Sequence, residues 1–224
     1  MKYDKELENE IISKIDERYA EFHAGLVPGQ KIRGVRIPEL RKIAKKFSVY
    51  DDFLFNVTLD NYESISVACY YIGYKAKDLY ALEKYTDFIL PYVDNWAVCD
   101  TFVSSLKILH KSKAGFLPTV LKYLDSDNDF TVRFAIVCGL NYYVEDNADI
   151  FFNKFSEIQG RDYYIDMAIA WFVSVAFIKC REKTLEYLNN KKLTPFVLNK
   201  SISKICDSYR VRAEDKDYLR GMRV

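Results

Sequence analysis

Four long, mostly apolar stretches recur along the chain at a spacing of 34 residues: "DNYESISVACYYIGYKAK" from Asp60, "DNWAVCDTFVSSLKILHK" from Asp94, "NDFTVRFAIVCGLNYYVE" from Asn128 and "DYYIDMAIAWFVSVAFIK" from Asp162. Each opens with Asp or Asn and places an aromatic two residues on, at Tyr62, Trp96, Phe130 and Tyr164. Asp and Asn side chains accept an orphan backbone N–H, so Asp60, Asp94, Asn128 and Asp162 read as helix caps. A fifth copy from Phe196 lacks the polar opening. Shorter amphipathic stretches lie between, "YALEKYTDFIL" from Tyr80, "AGFLPTVLKYL" from Ala114, "ADIFFNKFSEI" from Ala148 and "REKTLEYLNNK" from Arg181. Upstream, residues 3–22 read as one helix and "GVRIPELRKIAKKF" as another, with Pro38 in its first turn. A helix apolar on most faces is buried on both sides or lines a groove. The pattern predicts an all-α protein: a HEAT-like α-solenoid of stacked antiparallel helix pairs with a concave face, one domain over residues 1–224. The same period suits tetratricopeptide repeats, but their Trp, Gly and Tyr signature does not recur.

Composition agrees with helices, since half of the residues are hydrophobic and only 8 are Gly and 5 Pro. The first residues are charged, with no signal peptide visible, and the apolar run Met167 to Ile178 is too short to span a bilayer. Cys69, Cys99, Cys138, Cys180 and Cys206 are far apart with no CxxC pair, so they read as reduced, buried core residues of a cytoplasmic protein. Net charge is +1 but uneven. Residues 1–47 carry 11 bases and 8 acids, residues 48–178 carry 10 and 18, and residues 179–224 carry 12 and 6. Two basic ends could hold a polyanion, although basic helix faces are often merely solvated.

Three residues break their 34-residue columns. Asp100 aligns with Ser66, Phe134 and Ala168; Arg133 with Ile65, Cys99 and Met167; Trp171 with Cys69, Val103 and Val137. All lie on the long apolar helices, as does Trp96, one turn before Asp100 and on the same face. Structural readings exist for each: Asp100 and Arg133 could form an ion-pair rung between stacked helices, and the two Trp could be core. A functional reading treats them as one site. With only His23 and His110 present, a His-rich metal site is excluded and imidazole acid–base chemistry is disfavoured. A carboxylate can stabilise the oxocarbenium-like state of N-glycosidic cleavage. A neutral purine needs an acid to leave, whereas a purine alkylated at N3 or N7 is already cationic.

The segments "GVRIPELRKIAKKF", "DNWAVCDTF", "VRFAIV" and the tail "NKSISKICDSYRVRAEDKDYLRGMR" resemble, in this order, the AlkD-type DNA alkylation repair family. The resemblance implies a HEAT-like DNA glycosylase, with a concave groove sized for DNA. Such an enzyme excises cationic N3- and N7-alkylated purines from duplex DNA, leaving an abasic site and using no metal or cofactor. It implies Asp100 as the catalytic carboxylate beside Trp96, Arg133 as the active-site arginine and Trp171 as the second cleft tryptophan. Trp96 and Trp171 would pack on the lesion's sugar and backbone, and Arg133 would hold a phosphate. Lys31, Arg33, Arg36, Lys200, Lys204, Arg210 and Arg212 are the candidates to clamp the flanking duplex, in a monomer without membrane attachment. The alternative is a non-enzymatic scaffold that binds a DNA structure or a protein.

Overall fold

The computed structural model describes residues 1–190 and 192–224 and contains thirteen α-helices, with no strand among the described residues. Met1–Gly115 and Phe116–Val224 form two compact units, the boundary falling within α7 (Leu109–Leu124).

The first unit holds α1 (Asp4–Ile12), α2 (Glu17–Leu26), α3 (Ile37–Phe47), α4 (Tyr62–Lys75), α5 (Leu79–Ile89) and α6 (Trp96–Ser105). α4 is buried without interruption from Tyr62 to Ile72, and it packs between α3 and α6. The near absence of a polar face on α4 requires that cover on both sides. Tyr3, Phe47, Phe53 and Tyr71 form the aromatic centre, with Phe47 and Phe53 stacked at 4.6 Å. In the second unit α10 (Tyr163–Lys179) lies between α8 (Asp129–Cys138) and α12 (Pro195–Asp207). α9 (Val144–Ile158) and α11 (Arg181–Asn189) add further rings: Phe151 and Phe155 meet Phe172 at 5.1 and 5.0 Å, and Phe152 stacks on Tyr187 at 4.1 Å. The final residue of the "REKTLEYLNNK" stretch, Lys191, lies outside the described residues. α13 (Ala213–Arg220), not anticipated as a separate helix, closes the chain.

Several boundaries depart from the sequence reading. The caps of α4 and α6 are Asn61 and Asn95, not Asp60 and Asp94. Asn61 Oδ1 accepts from Ser64 N while Ser64 Oγ accepts from Asn61 N, a reciprocal pair that Asp60, one residue earlier, cannot make. Asp60 and Asp94 instead accept from the side-chain amides of those asparagines. Asn128 and Asp162 do cap α8 and α10. Two of the five free cysteines, Cys180 and Cys206, are half-buried rather than core; burial pushes the thiols of Cys69 and Cys138 well up.

The helix expected over residues 3–22 is two helices, broken between Ile12 and Glu17. Asp16 supplies the reason, since its side chain caps α2 through Tyr19 N and its backbone N–H donates to the carbonyl of Gly34. Gly34 sits at φ +91°, where a Cβ would lie 2.2 Å from the Asp16 carbonyl, so only glycine fits. The loop is held by Glu63 of α4, fully buried, whose Oε1 accepts from Arg33 N at 2.9 Å and Gly34 N at 3.1 Å.

Burial raises the Glu63 carboxyl above the ordinary range, more than the backbone N–H groups lower it. The native state therefore keeps this proton to a higher pH than the unfolded chain does. Its contribution to stability is complete below the unfolded carboxylate's range near pH 4.5 and is lost as pH rises through the folded value. In urea titrations at pH 5 and pH 7.5, Glu63→Gln is expected to gain stability relative to the natural chain as pH rises; a constant difference contradicts it.

Candidate functional site

The rotation of α6 about its axis decides what Asp100 faces. Tyr70 of α4 donates its hydroxyl to Thr101 Oγ1 at 2.8 Å, and Thr101 in turn donates to the Ala97 carbonyl at 2.6 Å. Burial pushes the Tyr70 phenol up to about 12, so it remains a donor at neutral pH. With Val98, Cys99, Phe102 and Val103 buried, the opposite side of α6 carries Trp96, Asp100 and Ser104 at successive turns. Trp96 and Asp100 are half-buried and Ser104 is exposed. Trp96 Nε1 donates to the Leu26 carbonyl at 3.3 Å, tying the indole edge to the end of α2. Asp100 is thus neither sealed in the core nor on a bare surface.

His23 offers no acid to this unit. It is buried against Tyr19 and Tyr62, at 5.2 and 5.1 Å, and burial lowers its pKa, keeping the ring neutral. Next to the Asp100 face, Arg41 of α3 lies over the Tyr70 ring at 5.3 Å and points Nη2 at Ser104 Oγ, 3.3 Å away.

In the second unit, Trp171 belongs to the single half-buried stripe of α10, with Tyr164, Met167, Val175 and Ile178. Arg133 is only 6% exposed, and its Nη1 donates to the Tyr164 carbonyl at 2.7 Å. At the starts of α8, α10 and α12 the rings form a series. Phe130 meets Tyr164 at 5.4 Å, Tyr164 meets Tyr163 at 5.4 Å, Tyr163 meets Phe196 at 6.0 Å, and the Lys200 ammonium lies over Phe196 at 5.6 Å. Tyr163 is 57% and Phe196 40% exposed. Exposed rings beside a cation suit stacking on bases or packing on sugars. Tyr163 and Phe196 were not singled out in the sequence, because only the aromatic after each cap repeats in register.

The basic candidates differ in their surroundings. Arg33 forms a two-pronged pair with Glu8, holding that carboxyl below its usual range, and Arg36 does the same to Asp16 at 2.8 Å. Lys31, Lys200, Arg210 and Arg212 are exposed, and Lys204 is half-buried. Phe196, Lys200 and Lys204 follow one another by single turns on α12. Among the described residues no group of three or more His, Cys, Asp or Glu side chains could hold a metal ion, and no helix is long and apolar enough to cross a membrane.

A family model described as "DNA alkylation repair enzyme" matches residues 3–205. The chain belongs to the DNA alkylation repair enzyme family. Among solved structures it is similar to a predicted DNA alkylation repair enzyme from Enterococcus faecalis, with a TM-score of 0.65 and 15% identity, covering 87% of this chain and 98% of that one. At that identity the likeness establishes the shared fold alone. A comparison with curated proteins returns no match.

The cap register of α6 controls how this family member presents Asp100. Asn95→Ala is expected to destabilise the fold by about 1 kcal/mol, the usual worth of an N-cap. Asp94→Ala is expected to cost clearly less in the same denaturant melts.

Proposed function

We propose that the protein is a DNA glycosylase that excises purines made cationic by alkylation at N3 or N7 from duplex DNA. The observation that carries this reading is the half-buried Asp100 carboxylate on the same face of α6 as Trp96. Family membership supplies DNA alkylation repair as the context.

The chemistry follows from charge. When the bond from C1′ to the cationic base breaks, its electron pair goes to the base nitrogen, and the base departs neutral. The deoxyribose becomes an oxocarbenium cation, which the Asp100 carboxylate stabilises. A water oxygen then adds to C1′ and loses its proton, leaving an abasic site. No acid is required at the leaving base, in keeping with a buried, neutral His23. Trp96 and Trp171 are the proposed apolar contacts to the sugar and backbone. Arg133 is the proposed phosphate ligand, placed by the bond from its Nη1 to the Tyr164 carbonyl. Lys31, Lys200, Lys204, Arg210 and Arg212 are the proposed contacts to the flanking duplex, with Arg33 and Arg36 available on exchanging their carboxylate partners for phosphate. Exposed pairs of this kind are weak enough for that exchange.

A second reading, a non-enzymatic scaffold that binds DNA structures or a protein, draws on the burial of Arg133 and its bond to the Tyr164 carbonyl, which suit a structural arginine. Release of 7-methylguanine from alkylated duplex DNA separates the two. The natural chain is expected to release the base without added metal. Asp100→Asn is expected to bind the duplex as before and to lose excision by two orders of magnitude or more, roughly the size of one well-placed electrostatic group. Undiminished release by that variant removes Asp100 from the mechanism.

A further inference from the structure

Between α3, α4 and α6 of the first unit lies a small cavity of about 60 Å³, lined among others by Arg41, Tyr70, Gly73, Ser104 and Lys107, with no carboxylate in its lining. From this cavity we infer a second anion site: Arg41 with Lys107 takes a phosphodiester of the DNA strand whose sugar faces Asp100. The inference rests on the glycosylase reading for the identity of the strand.

Arg41 is half-buried over a ring, unlike the exposed Lys45 one turn on, which also forms no ion pair with a described residue. Arg33, Arg36, Lys42 and Lys46 are each matched to a carboxylate. Neither Arg41 nor Lys107 forms an ion pair with any described residue. Stacking on Tyr70 and the single bond to Ser104 place the guanidinium, while its buried Nε has no partner and its Nη1 donates to none of the described residues. A charged fork oriented by packing, with one neutral hydroxyl as its acceptor and no carboxylate, is arranged for an oxygen that arrives from outside.

The hydroxyls nearby do not compete for that oxygen. Ser104 Oγ donates to the Thr101 carbonyl, Ser105 Oγ to the Phe102 carbonyl, and Tyr70 to Thr101. The carbonyl end of α6 contributes about half a negative charge, which two full positive charges outweigh. Gly73 fixes the depth of the pocket, because a Cβ there would lie 2.7 Å from the Ser105 carbonyl and hydroxyl oxygens. Ser104 follows Asp100 by four residues, about 6 Å of helix rise. That is less than two base steps at ~3.4 Å each along one strand, so the anion held here belongs to a nucleotide within two steps of the one whose sugar faces Asp100.

Binding of undamaged duplex DNA as a function of salt tests the site, with melting temperature verifying the fold of each variant. Arg41→Gln and Lys107→Gln are each expected to weaken binding several-fold and to reduce the slope of log K against log salt by about one. Arg41→Lys, which keeps the charge and most of the stem, is expected to restore the slope. Lys42→Gln, which removes a cation already paired to Glu39, serves as the control. If Arg41→Gln matches the Lys42→Gln slope while remaining folded, the anion site is wrong, whatever the excision assay reports. If the natural chain releases no 7-methylguanine and the Arg41→Gln slope still drops, the anion site stands and the glycosylase reading fails.

Discussion

A helix with no polar face must be covered on both sides, and that constraint organises each unit of this protein. α4 and α10 are such helices, and each lies in the middle of three. Their flanking helices then divide into an apolar side turned to the centre and a side that carries the candidate site residues. On α6 the second side holds Trp96, Asp100 and Ser104; on α12 it holds Phe196, Lys200 and Lys204. These candidate residues thus sit on helices whose rotation is set by packing, with the Tyr70 to Thr101 hydrogen bond as the final adjustment of α6. Rigid placement of this sort is what a carboxylate needs if it is to meet a developing cation without reorganising.

The helices that depend on local signals were legible in the sequence. Pro38 opens α3 where the pattern puts it, and each of the four apolar stretches opens on a helix at close to the expected spacing, although the second stretch breaks after Ser105 and the third leaves α-helical geometry after Cys138. What escaped depends on contacts distant in sequence or on a choice between adjacent acceptors. The break between α1 and α2 is fixed by Asp16 meeting Gly34, and the loop around Gly34 by Glu63. Asp60 and Asn61 are both good caps on paper; the backbone geometry that lets Asn61 trade hydrogen bonds with Ser64 decides between them.

The site was legible in the same uneven way. Asp100 stood out because the repeat offers columns against which an outlier shows, and Trp96 because it precedes Asp100 by one turn; both emerge on one half-buried face. Arginines have no such reference. Counting bases along the chain cannot separate Arg33 and Arg36, which are engaged with Glu8 and Asp16, from Arg41, which is engaged with an aromatic ring. That difference arises from which side chains the fold brings within reach, and it reverses the ranking that raw charge suggests. Tyr163 and Phe196 were overlooked because neither falls in the aromatic column two residues after each repeat's opening, yet they are the exposed members of their ring series.

The chain's two tryptophans are divided between its compact units, Trp96 in the first and Trp171 in the second. Intrinsic fluorescence therefore contains one emitter for each half of the protein. Replacing either indole by phenylalanine leaves a label-free optical probe of the other half, by which the cooperativity between the two halves during unfolding becomes directly visible.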